Sequence, residues 1–231
     1  MILLNTVSVI IAAAGNAQRM NGINKQLQQL AGVPVIVRSM LAFEKIESVI
    51  EIIVSARECD AEAINGYAKS FGITKFKTIA EGGETRQKSV INALRYVSRD
   101  TDLVAVHDGA RPLVNSVHIE KCIKDASIFG GAVLGVPVKD TLKVVDGGLI
   151  TDTPDRRKLY ITQTPQIFRK KEFYEGVNFA NEHELDFTDD CQMVEAVGVK
   201  VNMTVSDYKN IKITTPEDFA IAEAIIAMEA D

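Results

Sequence analysis

Apolar positions along the chain fall into short β-branched runs, separated by longer stretches in which apolar residues recur at helical spacing. The first run, Val7-Ser8-Val9-Ile10-Ile11, is nearly continuous. That pattern predicts a strand buried on both faces. Val49–Ser55, Phe76–Ala80, Leu103–His107 and Ala132–Val138 read as further strands. Pro34 opens a helix running to about Lys45, with Val37, Met40, Leu41 and Ile46 roughly on one face. Ala61–Phe71 reads as a helix ended by Gly72, and Arg86–Val97 as another. Ser116 is expected to cap a helix to Phe129, stopped by Gly130-Gly131. Strand and helix in alternation predict an α/β fold on a parallel sheet.

The alternation breaks after Val138. Thr141–Val145 and Leu149–Thr153 flank Asp146-Gly147-Gly148, a strong hairpin signal. It interrupts the α/β pattern and is expected to project as an arm at about 139–158. Tyr160–Gln163 resumes a strand. Lys170–Asn181 and Asp189–Ala196 read as helices, with Thr188 at the N-cap of the second, and Val199–Val205 and Asn210–Ile213 as strands. Thr215-Pro216-Glu217-Asp218 combines a cap, a proline at the first helical position and acidic residues, and predicts an amphipathic helix to about Met228.

Composition narrows the function. At 231 residues without a low-complexity linker, residues 1–231 are expected to form one domain. The net charge of −5 argues against a nucleic-acid partner held by a general basic surface. A local cationic pocket in an acidic chain suits a small anionic ligand. Cys59, Cys122 and Cys191 are odd in number and lack metal-ligand spacing, as expected of a reduced, cytoplasmic protein. No basic segment precedes an apolar one at the N-terminus and no apolar run is long enough to cross a bilayer, so neither a leader nor a membrane partner is expected.

The chemistry gathers where the predicted strands end. After the first strand come Ala13, Ala14 and Gly15, whose small side chains would let a ligand lie on main-chain N–H groups, followed by Arg19 and Lys25. This is neither a Walker A loop, lacking Gly-Lys-Ser/Thr, nor the dinucleotide fingerprint, since Gly15 stands alone. Later strand ends supply Gly82-Gly83-Glu84 with Arg86 and Ser89, then Asp108 and Arg111; further segments supply Thr164, Thr188 and Lys212. Ligands of open α/β sheets bind at those ends. One carboxylate among cations is what Mg²⁺ needs alongside substrate phosphates. No Gly-x-Ser-x-Gly and no metal-binding His pair appears. His107 is expected to pack or to support its neighbour, and Arg157 and Lys158 to be solvated arm charges.

The stretches AAAGNAQRM, NKQ, GGETRQKS, HDGARP, PVKDTLK, TQTPQ, FTDD and NIKITTPED occur in this order from residue 12 to residue 218. In sequence and spacing the chain resembles the 2-C-methyl-D-erythritol 4-phosphate cytidylyltransferases of isoprenoid biosynthesis, from about Val7 to Met228. The resemblance implies a Rossmann-like nucleotidyltransferase domain, a mostly parallel sheet with helices on both faces plus a β-arm that embraces a second subunit. It implies CTP and a sugar-alcohol phosphate as substrates. It gives Arg19 and Lys25 the α-phosphate and leaving pyrophosphate, with Lys212 assisting. It gives Ala13, Ala14, Gly15, Gly83, Glu84 and Ser89 the cytosine and ribose, and Asp108 the Mg²⁺. Methylerythritol phosphate falls to Arg111, Thr141, Arg156, Thr164, Thr188 and Lys212, with Thr141 and Arg156 coming from the partner's arm. Asn24 replaces the family's usual proline before the lysine, and Glu84 a frequent aspartate. The alternatives are a ribitol 5-phosphate cytidylyltransferase, a non-catalytic nucleotide-binding module and a dehydrogenase, the last disfavoured by its missing glycines.

Overall fold

A computed structural model describes residues 5–15 and 25–230. The chain-order elements are β1 (Val7–Ala12), β2 (Gln29–Leu30), β3 (Val33–Pro34), α1 (Val35–Glu44), β4 (Val49–Ala56), α2 (Glu58–Ser70), β5 (Phe76–Glu81), α3 (Arg86–Leu94), β6 (Leu103–Asp108), α4 (Ser116–Phe129), β7 (Gly131–Pro137), β8 (Val144–Asp146), β9 (Leu149–Asp152), β10 (Tyr160–Arg169), α5 (Lys170–Glu182), α6 (Asp190–Glu195), β11 (Val201–Val205) and α7 (Pro216–Ala230). Seven strands form one sheet in the order β11-β7-β10-β6-β1-β4-β5. All neighbours are parallel except β10, which runs antiparallel to both β6 and β7.

β-branched runs become central strands because both faces are covered. Val7, Val9 and Ile11 of β1 face one layer, with Met40 and Phe43 of α1, Ile64 of α2 and Ile119 of α4. Ile10 faces the other, with Val90 of α3, Phe173 of α5 and Val194 of α6. Each such side chain, fully buried, contributes roughly 1.5–3 kcal/mol. Two-sided packing therefore outweighs local propensity in fixing these strands. At the N-terminal ends of β1 and β4, Glu51 accepts hydrogen bonds from Ser8 Oγ (2.6 Å), Ser98 N (2.7 Å) and Lys77 Nζ (2.7 Å). This buried polar clamp ties the sheet at the edge away from the ends where β1 and β6 release their loops.

Several expectations need correcting. Asn115, whose side chain accepts from Val117 N, caps α4, and Ser116 is its first residue. Asp189, accepting from Gln192 N, caps α6, whereas Thr188 bonds Gln192 Oε1 by its N–H and hydroxyl. Thr85 caps α3, which ends at Leu94 rather than Val97, and α2 starts at Glu58. β10 continues to Arg169, well past Gln163, because its second half is buried between β6 and β7. β11 starts at Val201. Asn210–Ile213 forms no strand: Asn210 Nδ2 bonds Gln163 Oε1 (3.1 Å) and Thr164 O (3.0 Å), and Ile213 N bonds Ala110 O (2.8 Å). This irregular segment is thereby pinned to β10 and the loop after β6. α7 begins as expected at Pro216, with Asp218 accepting from the N–H groups of Thr214 and Thr215. It is apolar nearly all round rather than amphipathic: Ala222 is buried against Leu30 and Ile213, while Ile221 and Met228 are exposed.

β8 and β9 pair only with each other, and both are exposed along their length. Among the described residues the hairpin thus leaves the main sheet as an arm. Its base is braced by Val138 N on Leu159 O (3.0 Å) and by Tyr208 Oη on Pro137 O (2.7 Å), with Lys139 Nζ 3.4 Å over the Tyr208 ring.

Candidate active site

The strand order reverses at β1, which lies between β6 and β4. Such a reversal opens a crevice at the carboxyl ends of the strands. A cleft of about 350 Å³ lies there, lined by residues of the loops after β1, β5 and β6 and by Lys212 and Thr214.

One wall of the cleft is bare backbone. Ala14 and Gly15 follow β1, and Gly83 follows β5. Gly82 is required at its position: a Cβ there would stand 2.3 Å from the Ala14 Cβ. Gly83 is equally confined, 2.5 Å from the Lys88 Cβ, and its N–H donates to Ser89 Oγ (2.9 Å). Ser89 in turn donates to Thr85 O (2.9 Å), so α3 holds the glycine loop through one hydroxyl. Glu84 lines the same wall, but its carboxylate is exposed and pairs with Lys88 (2.8 Å). Ala13 faces the core instead, and its N–H is taken by Ser55 O (2.8 Å).

The other wall carries the charge. Asp108, at the end of β6, is 7% exposed and meets three cations. Arg86 Nε lies 3.1 Å from Oδ1, Lys212 Nζ 2.8 Å from Oδ2, and Arg111 Nε 3.7 Å from Oδ2. Burial alone would raise the carboxyl's pKa, but Arg86, Lys212 and Arg111 hold it well below the ordinary range. Asp108 is therefore ionised throughout the physiological range. Arg86 continues to a second carboxylate: its Nη1 is 2.8 Å from Oδ2 of the fully buried Asp190. Burial pushes Asp190 upward and Arg86 opposes that. Arg86 loses by burial, yet Asp190 and Asp108 together raise its pKa further.

Beneath Asp108 lies a neutral relay. Fully buried His107 is pushed down to about 4, chiefly by burial, and is uncharged at neutral pH. Its Nε2 faces Arg111 O at 3.1 Å, and a carbonyl can only accept, so Nε2 bears the proton. Nδ1 consequently accepts from Thr164 Oγ1 (3.0 Å), and that oxygen also accepts from Asp108 N (3.0 Å). The Thr164 hydroxyl proton is thus directed at His107. Arg111 spends donors on Asn210 O (2.8 Å) and Thr162 O (3.5 Å), and burial lowers its pKa.

The cleft thus gathers Ala14, Gly15, Lys25, Gly83, Glu84, Ser89, Asp108 and Lys212. Arg111 and Thr164 lie under its floor. Thr141, Arg156 and Thr188 are exposed outside it, with Arg156 Nη1 on Lys139 O (2.7 Å) at the arm base. Arg19 falls outside the described residues. In the sequence Arg86 is only one cation near a strand end, and nothing local marks Asp190 as its partner. FTDD marked the stretch, but only the fold shows that its last carboxylate points at Arg86. Among the described residues no group of three or more His, Cys, Asp or Glu could hold a metal. Asp108 nonetheless fits Mg²⁺ as a single hard ligand, since a carboxylate has about four lone-pair positions and Mg²⁺ takes its remaining ligands from phosphates and water.

A doubly wound sheet, a crevice at its reversal point, a cradle of bare backbone and a cation cluster around one ionised carboxylate define a nucleotidyltransferase of the α/β class. Among the described residues, no nucleophilic side chain with an attendant base lines the cleft. The chain belongs to the 2-C-methyl-D-erythritol 4-phosphate cytidylyltransferase family, whose sequence model matches residues 7–228. It is 46% identical to the 2-C-methyl-D-erythritol 4-phosphate cytidylyltransferase of Caldanaerobacter subterraneus subsp. tengcongensis, over 95% of this chain and 98% of that one. The Geobacillus kaustophilus enzyme of the same name is 39% identical, over 94% and 96%. Among solved structures, the 4-diphosphocytidyl-2C-methyl-D-erythritol synthase of Anaerococcus prevotii superposes with a TM-score of 0.87 at 29% identity, covering 96% of each chain. The Thermus thermophilus 2-C-methyl-D-erythritol 4-phosphate cytidylyltransferase does so at 0.80 and 32% identity, covering 96% of this chain and 99% of that one. These names favour methylerythritol phosphate over the ribitol alternative. The expected fold, with helices on both faces and a projecting arm, is the one observed.

Proposed function

We propose that this protein joins CTP and 2-C-methyl-D-erythritol 4-phosphate to give 4-diphosphocytidyl-2-C-methyl-D-erythritol and pyrophosphate. The observation that carries this reading is the pairing of a bare-backbone cradle with a cation cluster around Asp108, in a chain of this family. A phosphate oxygen of the acceptor attacks the α-phosphorus of CTP, the bond to the β-phosphate oxygen breaks, and pyrophosphate leaves with its electrons. The nucleophile arrives ionised, so catalysis is positioning and neutralisation of charge spreading over phosphate oxygens.

Lys25, at the cleft mouth, and Arg19 are assigned the α-phosphate and leaving pyrophosphate. Lys212 moves from Asp108 to incoming phosphate. The N–H groups and small side chains around Ala14, Gly15 and Gly83 take the pyrimidine and ribose, with Ser89 holding the loop; Ala13 contributes by backing that wall. Asp108 would hold Mg²⁺, which would supply neutralisation of phosphate charge. Arg111 and Thr164 shape the floor where the acceptor phosphate lies, and Thr188, exposed outside the cleft, is assigned to the bound acceptor.

The arm supplies the rest in trans. An isolated two-stranded hairpin is marginal in water. This one exposes Leu142, Val144, Val145, Leu149 and Ile150. A two-fold homodimer covers them and brings the partner's Thr141 and the partner's Arg156 to the acceptor phosphate. No described helix is long and apolar enough to cross a membrane. Charged small-molecule substrates and three unpaired thiols accord with a cytoplasmic setting.

Pyrophosphate release from CTP tests the reaction: methylerythritol phosphate should support it and ribitol 5-phosphate should not. Equal turnover of both acceptors would overturn the assignment. Mixing inactive Lys25→Ala and Arg156→Ala proteins under subunit exchange tests sharing. A mixed dimer then holds one site with both residues intact, and activity returns; if both residues act within one chain, the mixture stays inactive.

A further inference from the structure

Arg86 is the only described side chain that touches both Asp108 and Asp190. Its Nε faces one carboxylate and its Nη1 the other, so the planar guanidinium is fixed at two points. Asp190 is completely buried, and its oxygens accept no hydrogen bond from any other described group. Among the described residues the guanidinium alone pairs with it, and burying a carboxylate is costly unless such a partner holds it, so the two side chains depend on each other. The backbone of Asp190 is anchored independently. Gln166 Oε1 on β10 accepts from Asp190 N (2.9 Å) and Cys191 N (3.1 Å), while Gln166 Nε2 donates to Asp189 Oδ2 (3.3 Å). A rigid line therefore runs from the sheet through α6 to Asp190, Arg86 and Asp108.

We propose that Asp190 and Arg86 are positioning residues for the reaction: buried Asp190 locks the Arg86 guanidinium, and Arg86 fixes the carboxylate of Asp108 toward the cleft. This rests on Asp108 being the working carboxylate of the site. Charge alone gives the opposite expectation. Arg86, Arg111 and Lys212 against Asp108 and Asp190 leave the cluster with one surplus positive charge. Asp190 lowers that surplus, so its removal should strengthen the hold on anionic substrates. If its use is geometric, removal should instead slow the chemical step.

The test is a double-mutant cycle on the full-length enzyme with Asp190→Asn and Arg86→Lys, read by kcat, the KM for CTP and the Mg²⁺ half-saturation. Asp190→Asn keeps the shape and loses the charge. Arg86→Lys keeps the charge but cannot reach both carboxylates. Each is expected to lower kcat by about tenfold to a hundredfold, the scale of an ångström-sized misplacement. The KM for CTP should change little and the Mg²⁺ half-saturation should rise. The double variant should be no worse than either single one, because both break the same link. A purely structural role would lower the melting temperature without splitting kcat from KM or moving the Mg²⁺ midpoint. If Asp190→Asn fails to fold, Arg86→Lys decides, since that side chain is partly exposed at the cleft. Wild-type kcat in Arg86→Lys overturns the proposal. So does an Asp190→Asn enzyme whose KM falls at unchanged kcat, or two losses that multiply. Asp108→Asn separates the levels. If it is inactive while the other two variants are normal, this inference fails alone; if it is fully active, Asp108 is not the working carboxylate and the site reading fails with it.

Discussion

Gly82→Ala should damage the bare-backbone wall of the cleft through geometry alone. The added Cβ would lie 2.3 Å from the Ala14 Cβ, with Ala56 O 3.4 Å away on another side. Ordinary contact starts near 3.4 Å, so the loops after β1 and β5 must part by at least about 1.1 Å. Neither contact is a flexible side-chain end: one is the stub of Ala14, and the other is the carbonyl that holds Gly82 N at 2.9 Å. Overpacking of this kind costs about 1–3 kcal/mol. For a chain of this size that is a fall in melting temperature of roughly 2–12 °C. The separation also widens the cradle of Ala14, Gly15 and Gly83, and an ångström of misplacement is worth about a hundredfold in rate. Steady-state pyrophosphate release should show kcat/KM for CTP down on that scale, while CTP-independent properties such as oligomeric state stay unchanged. Gly15→Ala is the contrast: its Cβ would meet no described atom within 4 Å, so stability should hold and any loss should be confined to nucleotide binding. A Gly82→Ala enzyme with wild-type KM and kcat for CTP would refute the idea that this close approach shapes the base pocket.

Three further outcomes are expected. Thr164→Val should cost about 1–3 kcal/mol in denaturant unfolding and lower kcat, because His107 Nδ1 and Asp108 N both lose their partner; Thr164→Ser should restore both, and an unaffected valine variant would dismiss the relay. Glu51 is burdened by burial but is held below its ordinary pKa of 4.5 by Lys77, Ser8 and Ser98. Its stabilisation is thus complete above that value and fades as pH falls below it. The stability gap between wild type and Glu51→Gln should therefore shrink on acidification below about pH 4.5, and a gap independent of pH would contradict the assignment. Gly66→Ala, inside α2 with open space around its Cβ, should stabilise by about 0.5–1 kcal/mol in thermal melts without changing activity; a loss of stability there would mean an unrecognised constraint on that helix.

Much of this was legible in the chain, for physical reasons. Strands buried on both faces write themselves as β-branched runs, so β1, β4, β6 and β7 were visible, while β5, at the sheet edge, is only partly buried. Bare residues and cations at strand ends marked the cleft, and motif order gave the family. What stayed hidden depends on partners far apart in sequence. Asp190 meets Arg86 only through the packing of α6 and α3, and no local period announces that. Asn210–Ile213 has the composition of a strand, yet its backbone is bound by Gln163, Thr164 and Ala110 and so joins no sheet. At Asn115–Ser116 and Thr188–Asp189 two capping residues compete side by side, and the winner is the one whose side-chain oxygen reaches an N–H of the first turn.

The reversed direction of β10 has a consequence for how this architecture tolerates change. A strand parallel to β7 would need a crossover from one edge of the sheet to the other before pairing. Because β10 runs the opposite way, the chain leaves β7 at Pro137 and returns at Tyr160, opposite it in the ladder, on the edge that carries the cleft. The whole excursion between them is an insertion at a single doorway, closed by Val138 N on Leu159 O. Its length and composition are therefore decoupled from the hydrophobic layers, which neither β8 nor β9 enters. Lineages could lengthen, shorten or re-sequence this segment without renegotiating the stability of the sheet whose strand ends form the cleft.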